Sequence, residues 1–184
     1  MRTFLNKNLI AVSILLLSFA LAQAEDMVIN DIQTEVVHSA DSLHQAAFLL
    51  TSNMPSQFDS TTEIAFAQLA IGIDFQPVDI FPVALGCAPI QVGQDLGELT
   101  FESFGEDISD VVYPEYMVTF SSVDTLSDTA YFDITNCVKA ALAGEINPVG
   151  LAIFPLESQS YINGLSSEQP YLELKISYSI REDE

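Results

Sequence analysis

The sequence predicts an all-β protein, an antiparallel β-sandwich of jelly-roll type with one short α-helix near residues 135–144. Three observations predict this class. Two stretches alternate between apolar and polar residues, several shorter apolar runs are separated by clusters of turn-forming residues, and a single segment carries helix-forming chemistry. The chain has 184 residues, of which 49% are hydrophobic, so it is long enough to bury its own core. We therefore expect a single β-sandwich domain over residues 25–184.

The first 24 residues have the organisation of a secretory signal peptide. Arg2 and Lys7 precede a short apolar run at 9–21, and Ala22-Gln23-Ala24 supplies small residues at a cleavage site before Glu25. A membrane anchor is the alternative, but the run is shorter than the ~20 residues that span a bilayer. We expect an exported protein, secreted or periplasmic, with no membrane insertion after the signal peptide is removed.

The alternating stretches predict half-buried antiparallel strands. Between Ile64 and Phe75 the odd positions are apolar, and between Tyr171 and Ile180 the even positions are apolar. Shorter strands are predicted, between turn-forming clusters, at Val28–Val37, Ala46–Leu50, Tyr116–Phe120, Ala130–Ile134 and Gly150–Phe154.

The helix is predicted from Thr135 to Gly144. A capping residue stands at its front, helix-forming residues fill its middle, and glycine closes it, with Pro148 shortly after. The segment is long enough for about two helical turns.

The charge of the chain excludes several classes of partner. The whole sequence has a formal net charge of −21. Residues 25–184 hold three basic residues against 26 acidic ones, and 3 minus 26 leaves −23. Phosphate contacts need clustered Lys and Arg, so a nucleic-acid binder is excluded. The same charge argues against an anionic membrane surface or an anionic polysaccharide as partner.

The two cysteines, Cys87 and Cys137, predict one disulfide. An even number of cysteines in an oxidising compartment favours pairing, and a loop of about 50 residues would remove about 4 kcal/mol of denatured-state entropy. Two buried free thiols are the alternative. Neither cysteine has His or further Cys at the spacing of a metal site.

The C-terminal half resembles DNRLRE-type secreted β-sandwich modules, which are grouped with carbohydrate-binding modules. The resemblance is carried by Phe132-Asp133-Ile134-Thr135, by Val138, Ala141 and Gly144 at the spacing V-x-x-W-x-x-G, by 147–151, by Ser167-Glu168, and by Pro170-x-Leu172 up to Tyr178. Upstream, 48–55 and 64–69 are similar to the early strands of these modules. Ala141 stands where the family has tryptophan, and the chain contains no Trp. The resemblance implies a non-catalytic sandwich that binds carbohydrate.

No catalytic motif accompanies this fold prediction. The sequence has no G-x-S-x-G, H-E-x-x-H, P-loop or dinucleotide glycine fingerprint. Among 26 acidic residues, carboxylate pairs arise by chance and do not indicate a glycosidase. We expect no enzymatic activity.

Two sets of residues bear on metal binding. His38, Asp41 and His44 would need helical spacing to converge on zinc or copper, and their flanks are typical of strand and loop. We expect an exposed loop there and no metal site.

The acidic loops leave calcium open. They are Glu106-Asp107 with Asp110, and Asp124 with Asp128. Calcium takes carboxylate and carbonyl oxygens, but a solvated acidic loop is the favoured interpretation. We expect no cofactor.

Tyrosines are the candidate ligand-binding residues. An aromatic ring with a polar edge suits a sugar, and Tyr113, Tyr116 and Tyr161 lie in or beside predicted loops. Ordinary surface tyrosines are the alternative. Tyr131, Tyr171 and Tyr178 are expected to pack in or flank strands.

The sequence therefore favours an exported, non-catalytic binding module for a neutral carbohydrate or a cell-surface polymer. The alternative is a structural or adhesive surface or matrix protein, pilin-like or adhesin-like, that binds other protein chains. In that case Val28–Val37 would be a candidate donor strand, although a strand of the chain's own sheet is the simpler interpretation.

Overall fold

Nine strands and one helix form the described part of the chain. The computed structural model describes residues 24–40, 46–51, 58–59, 61–72, 83–105, 107–122, 129–156 and 171–180. The strands are β1 (Glu25–Ile29), β2 (Gln33–His38), β3 (Ala46–Thr51), β4 (Thr62–Gly72), β5 (Val83–Ile90), β6 (Val118–Ser122), β7 (Thr129–Asp133), β8 (Gly150–Pro155) and β9 (Leu172–Ile180), and the helix is α1 (Thr135–Leu142).

The strands form two antiparallel sheets. One has the order β1-β9-β4-β7 and the other the order β2-β3-β8-β5-β6. Four pairs are nested along the chain: β5 with β6 innermost, then β4 with β7, β3 with β8, and β1 with β9 outermost. This nesting is the topology of a jelly roll, to which β2 adds one edge strand. The predicted fold class is confirmed.

The main hydrophobic core lies between the sheets. Both sheets and α1 contribute to it, with the fully buried rings of Phe48 and Phe132 among its largest side chains. The inward positions of β9 are Leu174, Ile176 and Tyr178, as its alternation predicts.

A second hydrophobic cluster covers the other side of the five-stranded sheet. The segment 96–117, which contains four short 3₁₀ turns, packs onto the outward residues of β3, β5 and β8. The buried members of this second cluster are Ala47, Leu49, Ala88, Ile90, Leu99, Phe104, Val111, Val112, Ala152 and Phe154. Because β3, β5 and β8 are buried on both faces, their sequences are continuous apolar runs instead of alternating ones.

Two strand predictions differ from the structure. Val28–Val37 is two strands, β1 and β2, which belong to different sheets. Strand β5 was not predicted, because Gly86 and Pro89 interrupt its apolar run. Gly86 is required by packing: a Cβ there would lie 2.9 Å from the ring of Phe154.

Strand β4 contains a bulge that shifts its alternation. The register with β9 changes between Ile64 and Phe66, so Ala65 is exposed while Ala67, Leu69 and Ile71 face the core. The predicted continuation of this strand through Phe75 lies outside the described residues.

Helix α1 ends two residues before the predicted boundary. Gly144 follows it with φ +73°, a left-handed conformation that glycine adopts without strain. The buried face of the helix carries Cys137, Val138 and Ala140, which join the main core.

The predicted disulfide is wrong for this structure: Cys87 and Cys137 are free. Cys87 lies on β5 and Cys137 in α1, and both are buried in the main core. Buried among apolar residues, each thiol packs as a small hydrophobic side chain. The number of cysteines and the compartment do not determine whether two thiols meet in bonding geometry.

Candidate ligand-binding face

The outward side of the four-stranded sheet carries exposed aromatic side chains. We call it the tyrosine face and define it by the outward residues of the sheet: Asp26, Val28, Glu63, Phe66, Gln68, Ala70, Gly72, Thr129, Tyr131, Asp133, Tyr171, Glu173, Lys175, Ser177 and Ser179. Tyr131 and Tyr171 are each 52% exposed, and Val28 and Phe66 are also exposed. The opposite sheet has its outward side covered by 96–117, so the two sheets differ in what they offer to a ligand.

The strand register places the two tyrosines on either side of small residues. In β4, Ala70 pairs with Tyr131 of β7 and with Glu173 of β9. One row further, the N–H of Gly72 donates to the carbonyl oxygen of Tyr171 at 2.7 Å. Since β4 separates β7 from β9, the backbones that carry the two rings are about 10 Å apart. Between the two tyrosines, β4 contributes only the methyl group of Ala70 and the side-chain hydrogen of Gly72.

Glycine at position 72 allows close packing beside Tyr171. A Cβ on residue 72 would lie 3.2 Å from the Cβ of Tyr171, which is tighter than ordinary van der Waals contact. A side chain at position 72 would therefore require Tyr171 to move by a few tenths of an ångström.

A carboxylate orients one of the rings. The Tyr171 hydroxyl donates a hydrogen bond to Glu173 Oε2 at 2.7 Å. This bond raises the pKa of Tyr171, and burial, the charge of Glu173 and the nearby Tyr131 raise it further. The ring is thus held by its polar edge while its body stays exposed.

An ion pair lies next to the tyrosines on the same face. Lys175 Nζ is 3.1 Å from Asp26 Oδ2, and the hydroxyl of Ser177 donates to the other oxygen of Asp26. The hydrogen bond from Ser177, followed by the contact with Lys175, lowers the pKa of the Asp26 carboxyl. Lys175 is paired in register with Gln68 and Val28, near the middle of the face.

Asp133 is used at the start of α1. Its Oδ1 accepts from the Thr135 backbone N–H at 3.0 Å and from the Thr135 hydroxyl at 2.6 Å. The carboxylate fixes the turn from β7 into the helix.

Two of the three tyrosines predicted from loop positions, Tyr113 and Tyr116, are not on this face. Tyr113 and Tyr116 are half-buried and pack against the main core. The Tyr116 hydroxyl donates to Glu145 Oε2 at 3.4 Å, and burial followed by the charge of Glu145 raises the pKa of Tyr116. Tyr161 lies outside the described residues. The two described tyrosines thus lie together in one turn, where their rings are partly covered.

Tyr131 and Tyr171 were missed because they were expected only to pack in or flank strands. The alternation of inward and outward side chains along the strands could have identified them. Tyr131 stands between the inward residues Ala130 and Phe132, and Tyr171 precedes the inward-facing Leu172, so both belong to the outward set.

An apolar pocket of about 110 Å³ opens between the sheets beside α1. Leu50, Leu69, Val138, Leu151 and Leu174 line it together with Cys137. Among the described residues that line it, none has a charged side chain to orient a ligand. Burial raises the pKa of Cys137 to about 11, so the thiol is protonated at neutral pH. The pocket therefore offers fewer polar groups to a ligand than the tyrosine face does.

Metal ligands are not gathered anywhere in the part of the chain that the structure describes: no group of three or more His, Cys, Asp or Glu side chains is placed to hold an ion. His38 is exposed at the end of β2, whereas Asp41 and His44 lie outside the described residues. In the acidic loops, Asp107 and Asp110 are exposed, and Glu106, Asp124 and Asp128 lie outside the described residues. Among the described helices, none has the length and apolar character needed to cross a membrane.

Comparison with protein families and with curated proteins found no relative of this chain. No protein-family model matches the chain, and no curated protein matches it. The resemblance to DNRLRE-type modules stays a prediction from the sequence.

Proposed function

We propose that this protein is an exported, non-catalytic module that binds a carbohydrate chain on its tyrosine face. The observation that carries the proposal is the pair Tyr131 and Tyr171, both half-exposed on one uncovered sheet surface. The jelly-roll topology and the resemblance to DNRLRE-type modules support it by analogy.

The chemistry of the face suits a sugar polymer. A pyranose ring presents C–H groups on its flat sides and hydroxyls at its edge, so it stacks on an aromatic ring and forms hydrogen bonds at its rim. The face supplies Tyr131 and Tyr171 for stacking, with Gln68, Glu173 and Lys175 beside them for hydroxyl groups. An open sheet surface suits an extended chain better than a small molecule, which needs a concave pocket.

Preorganisation supports binding on this surface. The hydrogen bond to Glu173 fixes the Tyr171 ring, and both tyrosines are anchored on paired strand backbones. A ring that is already oriented loses less side-chain entropy when a ligand docks.

Export is part of the proposal. Strand β1 begins at Glu25, directly after the predicted cleavage site, and the Glu25 carboxylate accepts from the Tyr178 hydroxyl at 2.9 Å. Intact-mass measurement of the protein from its native host should give a chain that starts at Glu25. A mature chain that retains residues 1–24 would contradict the signal-peptide interpretation.

The binding test uses affinity gel electrophoresis and calorimetry on a panel of soluble polysaccharides. We expect retention on at least one of them and a loss of about tenfold in affinity for each tyrosine removed, in Tyr131→Ala and Tyr171→Ala. Val92→Ala is the control, because Val92 is exposed on a turn outside the tyrosine face. No retention on any polysaccharide, or retention that both tyrosine variants preserve, would overturn the proposal.

A structural or adhesive role is the second candidate, and the exposed edge of β2 favours it. This strand is one of the two edge strands of the five-stranded sheet, with β6 at the other edge, and could pair with a strand of another chain. The donor role for Val28–Val37 is not supported, since both of its halves pair within the chain's own sheets. Light scattering across a concentration series and pull-down of envelope or matrix proteins test this role. A strictly monomeric protein without such partners would rule it out.

A further inference from the structure

We infer that the polymer bound on the tyrosine face is built from amino sugars with free, protonated amines. This inference rests on the proposed function and names its substrate class. It comes from the charges that accompany the two rings, which a neutral polysaccharide would leave unused.

The tyrosine face is acidic. Its outward residues include four carboxylates, at Asp26, Glu63, Asp133 and Glu173, against the single basic residue Lys175. That ammonium lies against Asp26, so its charge is already compensated locally. Four carboxylates against one ammonium leave the face with a net charge of 1 minus 4, or −3, which attracts a cationic ligand and repels an anionic one, in the same direction as the charge of the whole chain.

The position of Glu173 relative to the rings is specific. Glu173 and Tyr131 are the two register partners of Ala70, on opposite sides of it. Glu173 also accepts the Tyr171 hydroxyl, so its carboxylate is in contact with one ring and across a methyl group from the other. Ala70 itself is buried, so an ammonium group would dock against Glu173 beside the exposed tyrosine rings, where it would meet both a carboxylate and an aromatic face.

Both contacts favour the protonated amine over an acetamide. A cation near a tyrosine face gains a cation–π interaction, and an ammonium donates charge-assisted hydrogen bonds to a carboxylate. The N-acetylated sugar keeps the stacking surface but has no charge for Glu173. Amine-bearing and acetylated polymers of the same backbone therefore separate the two contributions.

The probes are β-1,4-linked glucosamine hexamers and their fully N-acetylated counterpart, titrated calorimetrically at pH 6 and low salt. We expect the free-amine hexamer to bind about tenfold more tightly. Its affinity should fall as the salt concentration rises, because exposed charges are screened, while the affinity of the acetylated hexamer should change little.

Two charge-matched variants locate the effect. Glu173→Gln keeps an oxygen that can accept from the Tyr171 hydroxyl but removes the charge, so it should weaken binding of the free-amine hexamer several-fold more than binding of the acetylated one. Glu98→Gln makes the same change in net charge at an exposed residue of the 96–117 segment, away from the tyrosine face, and should leave both affinities unchanged.

Each contrary outcome has its own meaning. Equal or tighter binding of the acetylated hexamer would overturn this inference and leave the proposed function standing. Binding of neither hexamer, together with no retention on other polysaccharides, would overturn both. Three results would indicate a general attraction of polycations and overturn the inference. The free-amine hexamer could keep its affinity in Tyr131→Ala and Tyr171→Ala, Glu98→Gln could weaken it as much as Glu173→Gln does, or polylysine could bind with equal affinity.

Discussion

The side-chain oxygen of Thr135 accepts a hydrogen bond from the backbone N–H of Ala67 at 2.9 Å, which joins the start of α1 to the middle of β4. The neighbouring N–H of Ile134 donates to the carbonyl oxygen of Ala67, also at 2.9 Å. Strand β7 ends at Asp133, which pairs with Gln68. The first residues of the helix thus continue the hydrogen bonding of β4 where its partner strand ends.

Replacing Thr135 should destabilise the fold. Thr135→Val keeps the shape of the side chain but leaves the Ala67 N–H without this acceptor, at a cost of about 1–3 kcal/mol in the free energy of unfolding. Urea unfolding followed by circular dichroism measures the change. Thr119→Val, at an exposed position of β6, is the control and should be close to neutral. Equal stabilities for the two variants would show that the bond to Ala67 contributes nothing.

Gly150 is required by the approach of two strands. A Cβ on residue 150 would lie 2.6 Å from the carbonyl oxygen of Leu50, a backbone atom that cannot rotate away. Gly150→Ala should therefore lower the free energy of unfolding by about 1–3 kcal/mol. The control is Gly97→Ala, where the nearest atom would lie at 3.5 Å. A Gly150→Ala variant as stable as the Gly97→Ala variant would contradict the close approach.

Phe104 holds the 96–117 segment on the five-stranded sheet. Its ring stacks on Phe154, with centroids 5.3 Å apart and planes at 16°. Phe104→Ala should cost about 3 kcal/mol and expose the segment to protease before the sandwich unfolds. Limited proteolysis with mass spectrometry locates the first cuts. First cuts outside 96–117 would argue against this anchoring role.

Tyr131 and Phe132 are adjacent in sequence, but their truncation to alanine should change the free energy of unfolding by very different amounts. Phe132 is 1% exposed in the core, so Phe132→Ala should cost about 3–5 kcal/mol. Tyr131→Ala, on the exposed face, should change the free energy of unfolding by less than about 0.5 kcal/mol. Chemical denaturation of both variants measures the contrast. A large loss of stability in Tyr131→Ala would mean that the ring is covered in solution and not available to a ligand.

The two thiols make stability fall at alkaline pH. Burial raises the pKa of Cys137 from 9.0 to about 11, and burial followed by the nearby Cys137 raises the pKa of Cys87. Between the unfolded and folded pKa values the unfolded chain releases protons that the folded chain keeps. The free energy of unfolding should therefore decrease as pH rises above about 9.

Denaturant titrations from pH 7 to pH 11 measure this dependence. The double variant Cys87→Ala with Cys137→Ala should show a smaller loss between pH 9 and pH 11, because only the other titrating groups remain. In the native protein both thiols should resist a thiol reagent, and two should react after unfolding without reductant. No reactive thiol after unfolding would show that the two cysteines are oxidised in the protein as isolated.

Local sequence patterns determined much of the fold. The alternation of β9 assigned Leu174, Ile176 and Tyr178 to the core, and the chemistry of residues 135–144 predicted α1 to within two residues at its end. Both patterns depend on the chain's own geometry, which fixes where successive side chains point.

Alternation could also place Tyr131 and Tyr171 on an outward face, but it could not say whether that face is covered. The five-stranded sheet is covered by 96–117 and the tyrosine face is exposed, and this difference arises from contacts between residues far apart in the sequence. The same holds for the division of Val28–Val37 between two sheets and for the two unbonded cysteines. The sequence by itself determined most of the strands, the helix and the sandwich class, because these follow from local periodicity. Tertiary packing alone decided which surface is left open to a ligand, because covering a sheet face depends on where a distant segment is able to bury its apolar side chains.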